Sequence, residues 1–163
     1  KMNKSAFIII LWLTIISIFV LTQQFALLTG KEVLLKTVPV DPRDLLRGDY
    51  VILNYEIAQI PNSDYAYNSI VYVSLNTDDN NVGYIKDISY TKPSDSLYLK
   101  GKVGKCETNI PVFKSGKCIN YGIESYFVKE GSGKKLENTL GNGALVKVVI
   151  DKNGNAKVKG FVN

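Results

Sequence analysis

Charged side chains crowd one short stretch of the chain and have the clearest capacity for chemistry. They lie in DPRDLLRGDY and comprise Asp41, Arg43, Asp44, Arg47 and Asp49. Two guanidinium groups this close together can bind a carboxylate or a phosphate through paired hydrogen bonds. Alternatively the charges act locally, with Asp41 capping a helical turn and the others forming surface pairs worth about 0–1 kcal/mol each. We expect a structural clamp here, and binding at this corner stays open as the alternative.

An apolar strand is predicted directly after this corner, in GDYVILNY and the two residues that follow it. Neighbouring side chains of a strand point to opposite faces, and one set here has the pattern of a core face. The predicted core face comprises Val51, Leu53, Tyr55 and Ile57, and the other face comprises Tyr50, Ile52, Asn54 and Glu56. We therefore interpret Tyr55 as a core residue rather than as a catalytic phenol. The candidate binding residues of the whole segment are Asp41, Arg43, Arg47, Gly48, Asp49, Tyr50, Leu53 and Tyr55.

A second set of candidate residues lies in YGIESYFVKEG and comprises Tyr121, Glu124 and Glu130. Two carboxylates can divide the acid and base roles of sugar hydrolysis when they flank the scissile bond. The alternation of YGIESYF is, however, typical of an ordinary strand. We rank these residues below the first set and assign no catalytic residue.

Missing residue types exclude several classes of function. The chain has no histidine, which excludes a Ser-His-Asp or Cys-His catalyst and the usual zinc sites. Asp78 and Asp79 in TDDNN lack the spacing of a calcium loop, and we expect neither a metal nor a cofactor. The 20 basic and 15 acidic residues are scattered along the chain, which argues against nucleic acid as a partner.

The two cysteines, Cys106 and Cys118, bound the stretch CETNIPVFKSGKC, which has the composition of a loop between two strands. In an oxidising compartment such a pair forms a disulfide, and closing so short a loop stabilises a fold by about 3 kcal/mol. The close Cys-x-x-Cys spacing of redox motifs is absent. We therefore predict a structural disulfide.

The first 28 residues have the composition of a membrane anchor. Two lysines precede an apolar run from Ala6 to Leu21, which as a helix would extend over about 24 Å. The run is long for a cleaved signal peptide, lacks an Ala-x-Ala cleavage site and has no polar face for a soluble helix. We predict a retained signal-anchor over residues 1–28, with the basic N-terminus in the cytoplasm. Residues 29–163 then form a domain outside the cytoplasmic membrane.

The rest of the chain alternates between short apolar strands and polar turns. Predicted strands include SIVYVSLN, VGYIKDISY, SLYLKGKVG and CINYGIESYFV, and DKNGN between two alternating runs predicts a C-terminal hairpin. A helical turn is predicted from Asp41 to Arg47, and a short helix within KEGSGKKLENTLGNG. The predicted fold class is all-β, a sandwich or a partly open barrel of about six to eight strands.

The stretch GDYVILNY matches the pattern G-D-Y-x-x-L-x-Y at every specified position. Together with PVDPRDLLR before it and YGIESYFVKEG after it, this motif resembles the GDYXXLXY family of bacterial membrane-anchored proteins. The resemblance covers nearly the whole chain. It implies an N-terminal transmembrane helix and an exported β-rich domain, and no particular biochemical activity.

Residues 40–49 are also similar, more distantly, to the nucleophile segment of signal peptidases and related Ser-Lys proteases. The proline, the leucine and Gly48-Asp49 recur, but no serine or threonine lies between Thr37 and Asp49. Without a hydroxyl, no acyl intermediate can form at this position. A divergent hydrolase would need another serine beside a lysine, such as Ser89 or Ser125.

These features favour a non-enzymatic envelope module that contacts another membrane or envelope protein. The predicted domain begins close to the predicted anchor, so its reach from the bilayer is short. Two alternatives stay open: the divergent membrane hydrolase, and a glycan or small-ligand binder with a tyrosine-lined groove.

Overall fold

The computed structural model describes residues 3–38, 50–60, 64–106, 116–127 and 143–162, without the side chains of residues 6, 22–28 and 50. In this part of the chain, one helix, α1 (Lys4–Thr29), is followed by nine strands. The strands are β1 (Lys31–Lys36), β2 (Tyr50–Ile52), β3 (Ile70–Thr77), β4 (Gly83–Ser89), β5 (Tyr98–Lys105), β6 (Lys117–Asn120), β7 (Ser125–Phe127), β8 (Leu145–Ile150) and β9 (Ala156–Val162).

The strands form three antiparallel sheets with the orders β1-β8-β9, β2-β7 and β4-β3-β5-β6. Single bridges link them where strands from different sheets meet: Leu34 with Val82, Thr37 with Tyr55, and Gln59 with Cys118. The first two bridges tie β1 to the other two sheets. All three sheets consequently contribute side chains to one core, which includes Val33, Leu35, Val51, Leu53, Tyr55, Val71, Val73, Leu99, Ile119, Val146 and Val148.

The predicted β-rich class is confirmed, and the described residues form nine strands, one more than the predicted range of six to eight. The segment CINYGIESYFV, predicted as one strand, forms both β6 and β7. Gly122 lies between them with a φ of +81°, a left-handed conformation that a continuous strand cannot contain. The strand predicted from Tyr50 to Ile57 is also shorter, because the backbone forms a 3₁₀ turn over Glu56–Ala58.

The predicted C-terminal hairpin is confirmed, with β8 and β9 paired from Leu145 opposite Val162 to Ile150 opposite Ala156. Its turn is closed by Asp151, whose Oδ1 accepts the backbone amides of Asn153 and Asn155, both at 2.8 Å. Asp78 closes the turn between β3 and β4 in the same way, accepting the amides of residues 80 and 82. Both turn sequences predict this arrangement, because an aspartate side chain commonly accepts backbone amides within a turn.

The predicted disulfide is confirmed between Cys106 and Cys118, whose Cα atoms lie 5.0 Å apart. Cys106 follows the end of β5 and Cys118 lies in β6, so the bond joins the two strands at one end of the sheet.

Helix α1 is apolar around its whole circumference. Its large apolar side chains from Phe7 to Leu21 are between 48% and 66% exposed. Within the part of the chain that the structure describes, no helix combines the length and the apolarity that crossing a membrane requires. The predicted helical turn at residues 41–47 and the predicted helix within residues 129–143 lie outside the described residues.

Candidate functional site

The structure describes the last six residues of GDYVILNY and the strand that pairs with them. Tyr50, Val51 and Ile52 form β2, opposite Phe127, Tyr126 and Ser125 of β7. The predicted binding residues Asp41, Arg43, Arg47, Gly48, Asp49 and Glu130 lie outside the described residues, so their roles stay predictions.

The apolar positions of the segment belong to the core. Val51, Leu53 and Tyr55 are each at most 1% exposed, as their assignment to the core face requires. Ile52 is also buried although it was assigned to the other face. The reason is that β2 is covered on both faces, so alternation there does not separate a core side from a solvent side.

Backbone and side-chain hydrogen bonds fasten this segment to the corner that precedes β7. The amide of Leu53 donates to the carbonyl of Glu124 over 2.7 Å. The hydroxyl of Tyr55 donates to the carbonyl of Ile123 over 3.0 Å, and this bond is buried. Both bonds join residues about seventy positions apart in sequence. The segment thus connects two parts of the chain that are distant in sequence.

The corner itself, residues 121–124, is organised by Glu124. Its two carboxylate oxygens accept the backbone amides of Tyr121 and of Gly122, the latter over 2.9 Å. The Tyr121 hydroxyl in turn donates to the carbonyl of Ile57 over 2.6 Å. Gly122 provides the left-handed backbone that brings both amides onto one carboxylate. We call this arrangement of Tyr55, Tyr121, Gly122, Ile123 and Glu124 the tyrosine clamp.

The polar groups of the tyrosine clamp are arranged for structure rather than for proton transfer. Burial, and secondarily the charge of Glu124, raise the pKa of the Tyr55 and Tyr121 phenols well above 10. Both phenols are therefore neutral hydrogen-bond donors near neutral pH, and each already has a backbone acceptor. Both oxygens of Glu124 accept backbone amides. Each of these three side chains therefore already has a backbone partner.

We expect the free energy of unfolding to fall as the pH rises above 10, the ordinary pKa of tyrosine. The pKa values of the two phenols are raised in the folded state and ordinary in the unfolded state, so unfolding above pH 10 releases protons. The contribution of these phenols to stability is therefore complete below pH 10 and is lost as the pH rises above it. An alkaline titration should show Tyr55 and Tyr121 forming phenolates only together with loss of the far-UV circular dichroism. Ionisation of all ten tyrosines before unfolding would contradict this.

A second group of tyrosines lies on the surface at the end of the four-stranded sheet where β3 begins. The rings of Tyr65 and Tyr90 are 5.4 Å apart. The Lys117 ammonium donates to the carbonyl of Tyr65 over 3.0 Å and lies 4.8 Å from the centroid of the Tyr67 ring. Tyr67 and Tyr90 are 50% and 53% exposed. We call Tyr65, Tyr67, Tyr90 and Lys117 the surface tyrosine cluster.

The sequence reasoning did not single out this cluster. Its signal in the sequence is the alternation of two tyrosines in DYAYN, a stretch with the composition of a loop. Two serines, Ser89 and Ser125, were proposed for a divergent hydrolase. The Ser89 hydroxyl accepts the amide of Thr91 over 3.0 Å, and Ser125 is exposed on β7.

Comparison with known proteins bears on the whole chain. A profile of the family described as GDYXXLXY protein matches residues 12–161. The resemblance predicted from the motif is thereby confirmed over nearly the full length. No curated protein and no solved structure was found to match the chain.

Proposed function

The chain belongs to the GDYXXLXY protein family, and on that premise we propose that it is a membrane-anchored, extracytoplasmic β-domain. In this proposal it is a non-enzymatic interaction module of the bacterial envelope. Helix α1 holds the domain at the cytoplasmic membrane as a single-pass anchor with the N-terminus inside. The domain contacts another membrane or envelope protein.

The observation that carries the proposal is the apolar surface of α1. Side chains from Phe7 to Leu21 are about half exposed on every side of the helix. Each Å² of such surface costs about 25 cal/mol in water, and a helix that is apolar all round is normally surrounded by protein or lipid. No described helix meets the length and apolarity requirements of a membrane span, so that criterion does not support the proposal. It rests on this exposure and on the two lysines, Lys1 and Lys4, at the N-terminal side of the apolar run.

The disulfide supports a location outside the cytoplasm. Bonds such as Cys106–Cys118 persist in oxidising compartments and are rare in the cytosol. Only one residue, Gly30, separates the end of α1 from the start of β1. The disulfide-bonded domain would therefore lie against the outer surface of the membrane.

The tyrosine clamp supports a non-enzymatic role for the family motif. Leu53 and Tyr55, the last two specified letters of the pattern, are buried and bonded to the corner at residues 123–124. The divergent hydrolase and the ligand binder remain the alternatives, and no bond or cavity described above favours the hydrolase over the module.

The surface tyrosine cluster supplies the most suitable contact surface. Tyrosine is enriched at protein interfaces because it offers a large rigid ring and a polar tip. Tyr65 and Tyr90 are held in place by bonds to Ile88 and Ala66. Ile70, three residues after Tyr67, is also 49% exposed. A partner that buried Tyr67 and Tyr90 would gain their area at little cost in ordering.

Membrane fractionation tests the anchor. The full chain is expected to remain with the membranes after a high-salt wash and to expose its C-terminus to protease added from outside. Ile10→Asp together with Ile16→Asp should release it, because a carboxylate near the centre of an inserted helix costs about 2.5–3.5 kcal/mol. Tyr84→Asp, a substitution at an exposed tyrosine of the domain, is the control that should stay bound. A wild-type chain found in the soluble fraction would refute the proposal.

Photo-crosslinking in intact cells tests the interaction. A crosslinking residue at position 67 is expected to give an adduct with one envelope protein, and the same residue at position 84 is expected to give none. The two tyrosines are a matched pair, since each is 50% exposed. Equal adducts from both positions would refute a specific contact at the surface tyrosine cluster.

A further inference from the structure

A cavity of about 490 Å³ opens at the end of the domain where β1 begins. The start of β1, the end of β3 and the start of β4 surround it. Its volume lies in the usual range of small-molecule pockets, roughly 300–1,000 Å³. We call it the polar cavity, after the polar residues of its lining, which are Lys31, Glu32, Asn76, Thr77, Asn81 and Tyr84.

Hydrogen bonds between separate strands hold the polar cavity in shape. The carbonyl of Asn81 accepts the amide of Leu34 over 3.0 Å, and the Asn81 side-chain nitrogen donates to the carbonyl of Glu32 over 3.1 Å. These two bonds fasten the β3–β4 turn to β1. Elsewhere in the lining, the amide of Leu75 donates to the carbonyl of Leu97 over 2.8 Å. The cavity therefore exists before a ligand enters, which lowers the cost of binding.

Several uncharged polar groups of the lining are available to a ligand. The side chains of Asn76, Thr77 and Tyr84 make no hydrogen bond to any residue that the structure describes. Each of the three can both donate and accept, through a carboxamide or a hydroxyl. The side-chain nitrogen of Asn81 is already bonded, which leaves its oxygen as an acceptor. These groups suit a ligand with several hydroxyls, because a hydroxyl also donates and accepts.

The charges of the lining cancel, which favours an uncharged ligand. Lys31 and Glu32 are the charged residues of the described lining, one of each sign. The Glu32 carboxylate is also paired with Lys159 of β9. A cavity with no net charge offers little to offset the cost of removing an ionic ligand from water.

An aromatic ring completes the lining. Tyr84 is 50% exposed and lies directly opposite Asn76 in the β3–β4 ladder, so the two side chains are neighbours on one face of the sheet. A sugar ring has an apolar C–H face that packs on an aromatic ring, and hydroxyls at its edge. We propose that the polar cavity binds an uncharged oligosaccharide, with Tyr84 packing on a sugar ring and Asn76 and Thr77 bonding its hydroxyls. This inference goes beyond the proposed protein contact and does not depend on it.

Titration of chitotetraose and of cellotetraose into the isotope-labelled full chain tests the proposal, in a detergent without a sugar headgroup. At least one of the two sugars is expected to shift the amide signals around the polar cavity saturably. Tyr84→Ala should weaken this binding by about tenfold, because the ring contact is lost. Tyr67→Ala, at an equally exposed tyrosine outside the cavity, is the matched control and should leave the affinity unchanged. The absence of saturable shifts with both sugars, or equal weakening by the two variants, would overturn the proposal.

Two further arms test the hydrogen bonds and the absence of charge selection. Thr77→Val keeps the shape of the side chain and removes its hydroxyl, and it should weaken binding by about fivefold, as the loss of one neutral hydrogen bond does. Glucose 6-phosphate should bind no more tightly than glucose. Tighter binding of the phosphate would overturn the assignment in favour of an anion. Because the purified chain is titrated, the result is independent of whether a protein crosslinks at position 67.

Discussion

Tyr55→Ala is expected to lower the free energy of unfolding by about 3–5 kcal/mol, the usual cost of removing a large buried aromatic side chain. Tyr55 is completely buried in the core to which all three sheets contribute side chains. Truncation would leave a cavity in the core and remove the donor to the carbonyl of Ile123. Urea unfolding of the full chain in detergent, followed by far-UV circular dichroism, measures the change.

Tyr55→Phe separates the hydrogen bond from the packing. The ring remains, while the buried carbonyl of Ile123 loses its donor, and we expect a loss of about 1–3 kcal/mol. Tyr84→Ala and Tyr84→Phe are matched controls at a half-exposed site and should each change stability by less than about 0.5 kcal/mol. Equal effects at positions 55 and 84 would show that the motif tyrosine is not part of a structural clamp.

Reduction of the Cys106–Cys118 disulfide is expected to cost about 3 kcal/mol of stability. The bond closes a loop between residues twelve positions apart, and so short a closure removes entropy from the unfolded chain by roughly that amount. It also holds the end of β5 to β6 at the edge of the four-stranded sheet. Unfolding curves with and without dithiothreitol measure the effect directly.

A cysteine-free variant provides the comparison. Cys106→Ala with Cys118→Ala should unfold like the reduced wild type and should not respond to dithiothreitol. Alanine is preferable to serine because Cys118 is 4% exposed and a hydroxyl there would be buried. If the reduced protein and the oxidised protein unfold at the same urea concentration, the disulfide does not stabilise the domain.

The two variants address different links in the fold. Tyr55 joins β2 to the corner before β7 and thereby the middle of the chain to its C-terminal third. The disulfide joins neighbouring strands of one sheet.

Several features of this protein were determined by the sequence alone. The hairpin at Leu145–Val162 was predictable because alternation on both sides of DKNGN and the turn-forming Asp151 act over a few residues. The disulfide followed from two cysteines bounding one loop, and the family followed from eight consecutive letters. The core assignment of Tyr55 needed only strand alternation and a preference of aromatics for sheets.

Only the tertiary structure decided what these elements do together. The pairing of β2 with β7 joins segments about seventy residues apart. The two amide hydrogen bonds to Glu124 depend on the left-handed backbone of Gly122. Ile52 is buried although it lies on the face opposite Val51 and Leu53, and alternation within one strand cannot reveal burial on both faces. The surface tyrosine cluster arises where segments that flank β3, β4 and β6 converge. Local pattern and turn chemistry encode strands and turns, whereas sites depend on long-range packing that a single sequence does not display.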